Sequence, residues 1–154
     1  MSASPKSRLG LIRSAPARSP LSWKGRGAGA SAQRRFPKAV LEALASAEMV
    51  GVRSGRTHRF TGVWIVVVRG RVFSRSWNDK ANGWHRSFSA EPLGAVQCGN
   101  RRILVRARAA RGAGMLGAID RAYKEKYDTN ASQKWVRGFR LAWRRATTTE
   151  FVPR

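Results

Sequence analysis

The residue types with the most chemical potential lie together: Arg75-Ser76-Trp77-Asn78, the Asp79-Lys80 loop, and Trp84-His85-Arg86. Arg75 brings a fork of donors that suits phosphate, Ser76 a hydroxyl, and the loop backbone further N–H groups. Trp77 and Trp84 bring flat faces on which an aromatic ring can lie, with Lys80 and Arg86 as nearby positive charge. Together they suit an anionic, ring-bearing ligand such as a flavin nucleotide. The same residues also read as packing, with Trp77 and Trp84 capping the open end of a barrel and Arg75 solvated beside them. Both readings stand at this point.

Other chemistries are excluded. His58, His85 and Cys98 have no metal-ligand spacing. There is no Walker loop and no Rossmann glycine pattern, and the Gly25 to Gly29 run follows no strand and opens no helix. Of the eight acids, Glu42, Glu48, Asp120 and Glu125 fall on helix-like segments, which leaves no carboxylate pair for acid and base work. No serine is marked out as a nucleophile.

These residues must be held by the elements around them. Pro37 opens a helix with Val40, Leu41, Leu44 and Ala47 on one face, ending before Gly51. Met49 to Arg59 predicts a first strand. Val63 to Val68 is apolar on both faces and β-branched almost throughout, which predicts a central, doubly covered strand. Arg69-Gly70 turns the chain into Val72 to Trp77, with Phe73, Arg75 and Trp77 on one face. Trp84 to Ala90 predicts a short helix, and Ala95 to Cys98 with Ile103 to Ala109 a second hairpin around Gly99-Asn100. Leu116, Ile119, Tyr123 and Tyr127 form one helix stripe, and Trp135, Phe139, Ala142 and Trp143 another. Thr147 to Val152 closes the chain as a short strand. Antiparallel hairpins with helices at the margins imply a small α+β barrel.

The chain has 154 residues, 42% of them apolar, with six Trp and one Cys. That suffices for one folded domain over residues 36–154. The longest apolar run, Val63 to Val68, is far shorter than the ~20 residues of a membrane span. A lone Cys98 and the lack of a secretory h-region point to a reducing, cytoplasmic setting. The formal charge is +23, and residues 1–35 contribute eight Lys/Arg and no acid. That segment is rich in Ser, Ala, Pro and Gly without periodicity, and reads as a disordered basic tail or as upstream sequence from a misplaced start. The remaining Arg residues are spread over every segment, a pattern that predicts nonspecific nucleic-acid binding at low salt rather than a dedicated stripe.

The run Thr61-Gly62-Val63-Trp64-Ile65-Val66-Val67-Val68, followed by Val72-Phe73-Ser74-Arg75-Ser76 and Gly83-Trp84-His85-Arg86, resembles the bacterial family called domain of unknown function 2255. Ala118-Ile119-Asp120, Ala122-Tyr123-Lys124-Glu125-Lys126-Tyr127 and the ending Ala146-Thr147-Thr148 through Val152-Pro153 extend the resemblance over roughly residues 36–154. It implies a six-stranded antiparallel split β-barrel, like that of FMN-binding and deazaflavin-dependent nitroreductase-like proteins. It also implies a frequent homodimer and a cofactor groove near Arg75-Ser76, the region that holds the flavin phosphate in the wider group. Two departures stand out. His85 occupies a position where the family commonly has Tyr, which leaves a proton donor unassigned. Thr149-Glu150 stands where an apolar residue usually follows the two Thr, which predicts a weakened edge strand.

Three readings follow. In the first, FMN or a deazaflavin serves an oxidoreductase: Arg75, Ser76 and Lys80 hold phosphate, Trp77 and Trp84 wall the ring with Arg86 as nearby positive charge, and His85 is the candidate proton donor. In the second, a cofactor-free small-molecule-binding module has kept the barrel, with its groove blocked by Trp77 or Trp84. The third is a nucleic-acid binder working through the tail and scattered Arg.

Overall fold

The computed structural model describes residues 34–154. Apart from Arg34 and Arg35, the basic segment 1–35 lies outside the described residues. The elements run α1 (Lys38–Ser46), β1 (Val50–Ser54), β2 (Thr61–Val63), β3 (Val66–Val68), β4 (Arg71–Ser74), α2 (Trp84–Ala90), β5 (Leu93–Cys98) and β6 (Arg101–Ala109). They continue with α3 (Ala113–Lys126), a 3-10 turn (Asn130–Ser132), α4 (Gln133–Gly138), α5 (Ala142–Arg145) and β7 (Thr149–Pro153).

All strands join one antiparallel sheet in the order β2-β1-β5-β6-β7-β4-β3. Its two outer strands, β2 and β3, are separated in sequence by Trp64 and Ile65 alone. Two extended residues span only ~7 Å, so the sheet must curl until its edges meet on one bent segment. The result is the expected α+β split β-barrel with flanking helices. It has seven strand segments rather than six, because Thr61 to Val68 pairs first with β1 and then, past the bend, with β4. This corrects the picture of Val63 to Val68 as one uninterrupted central strand. The strand expected at the weak edge, β7, lies inside the sheet between β6 and β4.

Turn chemistry matches the sequence. Arg69 (φ 55) and Gly70 (φ 77) both take positive φ between β3 and β4, the geometry of a tight hairpin whose twist suits its strands. Gly99 (φ 61) turns β5 into β6.

Two apolar cores share the β3–β4 hairpin. Val72 faces the barrel interior with Val52, Val96, Val105 and Phe151, closed by Leu44 of α1 and Phe88 of α2. Phe73, one residue on, faces the opposite way onto Ile119 and Tyr123 of α3 and Val136 of α4. The stripe Trp135, Phe139, Ala142, Trp143 does not form one helix. Leu141 is extended (φ −64, ψ 142) between α4 and α5, Phe139 is buried, and Trp135 and Trp143 are exposed. Among the described residues no helix is long and apolar enough to cross a membrane.

The bend at Trp64-Ile65 removes backbone groups from the ladder, and α3 supplies replacements. Tyr123, Lys126 and Tyr127 share one face of that helix and its end. The Ile65 N–H donates to the Tyr127 hydroxyl (3.2 Å), which itself donates to the Glu48 carbonyl (2.8 Å). The Ser74 hydroxyl donates to the Trp64 carbonyl (2.7 Å). The Trp64 ring stacks on Tyr127 with centroids 3.9 Å apart. The Lys126 ammonium donates to the carbonyls of Ile65 (2.7 Å) and Leu44 (3.1 Å).

Burial lowers the Lys126 pKa to about 8, against ~10.4 for a free lysine. Between about pH 8 and ~10 the unfolded chain therefore holds a proton that the folded chain has released, and stability rises with pH. Above that window burial of the phenols reverses the trend, since Tyr123 is pushed up to about 12 and Tyr127 is also raised, while unfolded tyrosines ionise near ~10. Urea unfolding midpoints should climb from about pH 8 to about pH 9.5 and then fall, and Lys126→Met should remove the climb. A wild-type profile that falls throughout the window would show that Lys126 keeps its proton.

Candidate functional site

Arg75 and Ser76 leave the end of β4 held by side chains instead of a strand partner. The Arg75 N–H donates to the Tyr123 hydroxyl (3.0 Å), and the Ser76 N–H to the Thr147 hydroxyl (2.8 Å). The Arg75 guanidinium turns inward. Its Nε donates to Thr148 Oγ1 (2.8 Å), its Nη1 to Asp120 Oδ1 (2.6 Å) and the Phe139 carbonyl (3.0 Å), and its Nη2 to the Leu116 carbonyl (3.2 Å). The side chain is 0% exposed. Asp120 also receives Arg145 (3.1 Å) and Arg140 (3.9 Å).

The loop after Ser76 is organised by Asp79, which the sequence marked only as part of that loop. The Asp79 N–H donates to Ser76 Oγ (2.9 Å), and Asp79 takes a positive φ of 51, which a short polar side chain tolerates. Its Oδ1 lies 2.8 Å from His85 Nδ1, and the Arg86 Nε and Nη2 donate to its two oxygens at 3.2 Å each. Partial burial raises the Asp79 pKa, but hydrogen bonds and charge from Arg86 and His85 outweigh that and hold it below the usual carboxylate range. Lys80 is exposed on the same loop.

The two indoles part company. Trp84, at the start of α2, packs toward the barrel core with its ring near Phe88 (6.4 Å) and Phe151 (6.0 Å). Trp77 lies on the other side of β4, edge to face with Phe139 (5.3 Å) and Trp135 (4.7 Å), with the Arg144 guanidinium 3.4 Å over its ring. A methyl group on Gly138 would collide with the Trp77 ring, so this packing depends on glycine there.

The structure thus brings Asp79, His85 and Arg86 together, with Lys80 adjacent in sequence, and sends Arg75 inward and Trp77 to a separate face. Arg75 is not solvated at the barrel mouth, and its donors already have partners. A flavin phosphate requires accessible donors, and the Arg75–Ser76 pair offers none: the Arg75 side chain is 0% exposed with Nε, Nη1 and Nη2 all donating within the chain, and Ser76 is buried with its hydroxyl accepting from the Asp79 N–H. The residues present do not fit a phosphate cradle at that strand end. The Thr147-Thr148 pair and Asp120, quoted in the sequence only as resemblance motifs, turn out to be the partners that close it.

Glu150 follows the same rule. It is buried on β7, where the Arg71 Nε (3.0 Å) and Nη2 (2.9 Å) and the Arg108 Nε (3.1 Å) donate to it. The departure from an apolar residue is compensated by arginines on the two neighbouring strands, with cross-strand partners Arg108 and Phe73. No group of three or more metal-ligating side chains occurs among the described residues.

Residues 41–150 match the family model described as "Uncharacterized protein conserved in bacteria (DUF2255)". Comparison with curated proteins finds no match. Among solved structures, the chain is similar to the conserved hypothetical protein Rv2991 of Mycobacterium tuberculosis, at 12% identity and a TM-score of 0.52 over 79% of this chain and 81% of that one. That likeness is one of fold. A provisional pyridoxamine 5'-phosphate oxidase from Listeria innocua aligns at 11% identity, TM-score 0.46, over 75% of this chain and 90% of that one. A FAD-binding protein from Mesorhizobium loti aligns at 14% identity, TM-score 0.43, over 78% and 90%.

A structural Arg75 and a ligand-holding Arg75 give opposite results on mutation. Arg75→Ala should lower the unfolding free energy of the unliganded protein by about 3 kcal/mol or more, because it strips partners from several buried acceptors at once. Arg75→Lys should recover only part of this, since an ammonium cannot reproduce the guanidinium fork. Denaturant melts that leave Arg75→Ala as stable as wild type would overturn the structural role.

Proposed function

The chain belongs to the bacterial family DUF2255, and we propose that this member is a split-barrel binding module with no flavin phosphate at the Arg75–Ser76 strand end. The observation that carries this reading is the closed Arg75 guanidinium, with Nε, Nη1 and Nη2 all donating within the chain. Binding is assigned instead to the rim of the barrel, where Asp79 fixes His85 and Arg86 beside the exposed Lys80. Arg86 has a side chain 56% exposed, so its outer face is open to a small anion while Asp79 orients it. In this role Arg75 and Ser76 set the loop's position and touch no ligand.

A second reading keeps FMN or a deazaflavin, and an oxidoreductase role. What supports it is the barrel frame together with the Asp79–His85 contact. A carboxylate on Nδ1 fixes an imidazole and leaves Nε2 as the edge that exchanges a proton. Lys80 and Arg86 would then meet phosphate, and the half-buried Trp84 is packed against the barrel core.

A thermal-shift panel of FMN, FAD, a deazaflavin and inorganic phosphate on the full chain separates the two. A ligand at ~100 times its Kd adds ~2.7 kcal/mol, a shift of several degrees. The module reading expects a shift from inorganic phosphate that Lys80→Ala/Arg86→Ala abolishes, and no shift from a flavin beyond what its phosphate alone gives. A flavin-specific shift removed by the same double variant would establish the second reading. Indifference to every compound would remove ligand binding at this rim.

A further inference from the structure

The four exposed large hydrophobic residues among the described ones are Met49, Trp135, Leu141 and Trp143, and three of these lie within α4, α5 and the turn joining them. Trp135 is 40% exposed, and Leu141 and Trp143 are each 49% exposed. Apolar groups scattered singly need no explanation, but three on one short segment form a patch. Its composition is one-sided. Between Thr129 and Ala146 the chain has Lys134, Arg137, Arg140, Arg144 and Arg145 and no acid.

The rings and cations alternate. The Arg144 guanidinium lies 3.4 Å from the Trp77 ring and 4.4 Å from the Trp143 ring, Trp77 meets Trp135 at 4.7 Å, and the Lys134 ammonium lies 5.6 Å from Trp135. Arg144 is held in place by donating to the Trp77 carbonyl (2.8 Å), so the arrangement is built rather than a chance approach of mobile side chains. The Asp120 carboxylate faces this segment from α3, but it is taken by Arg75 and Arg145, with Arg140 at 3.9 Å and its side chain still 62% exposed. Lys134, Arg137 and Arg140 remain exposed around the indoles.

We propose that this face binds single-stranded nucleic acid, its bases stacking on Trp135 and Trp143 and its phosphates meeting Lys134, Arg137 and Arg140. Charge decides the occupant. A second copy of this chain would bring the same five cations to the contact, and residues 1–35 of the same chain carry eight Lys/Arg and no acid. Both are repelled, whereas a polyanion is attracted. Exposed aromatic faces interleaved with positive charge are what an unpaired strand requires, because its bases offer π-faces that a duplex keeps stacked inside. A lipid surface fits less well: α4 and α5 span six and four residues, too short for an amphipathic helix lying in a bilayer interface. This site is separate from the rim at Asp79 and does not depend on the reading given for it.

The test is fluorescence anisotropy of the full chain with labelled oligo-dT, oligo-U, an abasic phosphodiester strand of equal length and a duplex, at fixed near-physiological salt. The base-bearing strands should bind roughly tenfold or more tighter than the abasic strand, and should quench tryptophan fluorescence. Trp135→Ala/Trp143→Ala should erase that preference while leaving abasic binding unchanged. Trp143→Ala alone, which removes a ring resting on Arg144, should erase part of it should the double variant fold poorly. With the measurement repeated over a series of salt concentrations, Arg137→Gln should reduce the salt dependence for all strands alike. Equal binding of base-bearing and abasic strands would overturn the proposal in favour of a general electrostatic coat. Trp-dependent capture by anionic phosphatidylglycerol vesicles, with no preference for bases, would overturn it in favour of a lipid surface.

Discussion

The interaction on which the rest of the structure depends is the buried guanidinium of Arg75. It connects the end of β4 to α3 through Asp120 and the Leu116 carbonyl, to the residue after α4 through the Phe139 carbonyl, and to the approach of β7 through Thr148. Withdrawing a guanidinium from water is costly, and a single carboxylate rarely compensates. Here the compensation comes from four acceptors fixed by three different segments, so the charge is stable only when all of them are in place. That requirement couples the barrel to its helical cover. It also decides the chemistry of the strand end, since a guanidinium so engaged and fully buried does not meet a phosphate in solvent.

The same economy governs the whole charge distribution. With 31 Lys/Arg against eight acids, most cations cannot have a partner. All seven ion pairs among the described residues converge on Asp79, Asp120 and Glu150. Each of these acids sits where a polar backbone break or a strand pairing needs several donors gathered at one point. Many of the other cations among the described residues, Lys80, Lys134 and Arg137 among them, lie at the surface, where they repel one another and any basic partner. Where exposed indoles share that surface, at α4 and α5, the combination acquires a chemical direction toward an anion with flat rings.

The bend at Trp64-Ile65 does the complementary work on the barrel. The curled sheet brings its two outer strands onto one bent segment, and a segment that changes partners leaves unpaired backbone at the switch. Lys126 and Tyr127 meet the Ile65 backbone from one helix face, and the Tyr123 hydroxyl donates to the Trp64 carbonyl (3.4 Å). The motif Ala122 to Tyr127 is thus explained by the backbone it completes rather than by catalysis.

Much of the fold was legible along the chain because its signals are local. The positive-φ turn at Arg69-Gly70, the helix Trp84 to Ala90, the alternation that sends Val72 and Phe73 to opposite faces, and the stripe of α3 all follow from periodicities of two and 3.6 residues. What sequence determined alone was therefore the order of elements, the antiparallel barrel class and the strong basic excess. The strand switch, the split between α4 and α5, and the partners of every charged group were decided only in three dimensions. Arg75 read as a phosphate ligand because residue type fixes what a side chain can donate to. Which acceptor it meets depends on Asp120, Phe139 and Thr148, residues 45 to 73 positions away that only tertiary packing brings within reach.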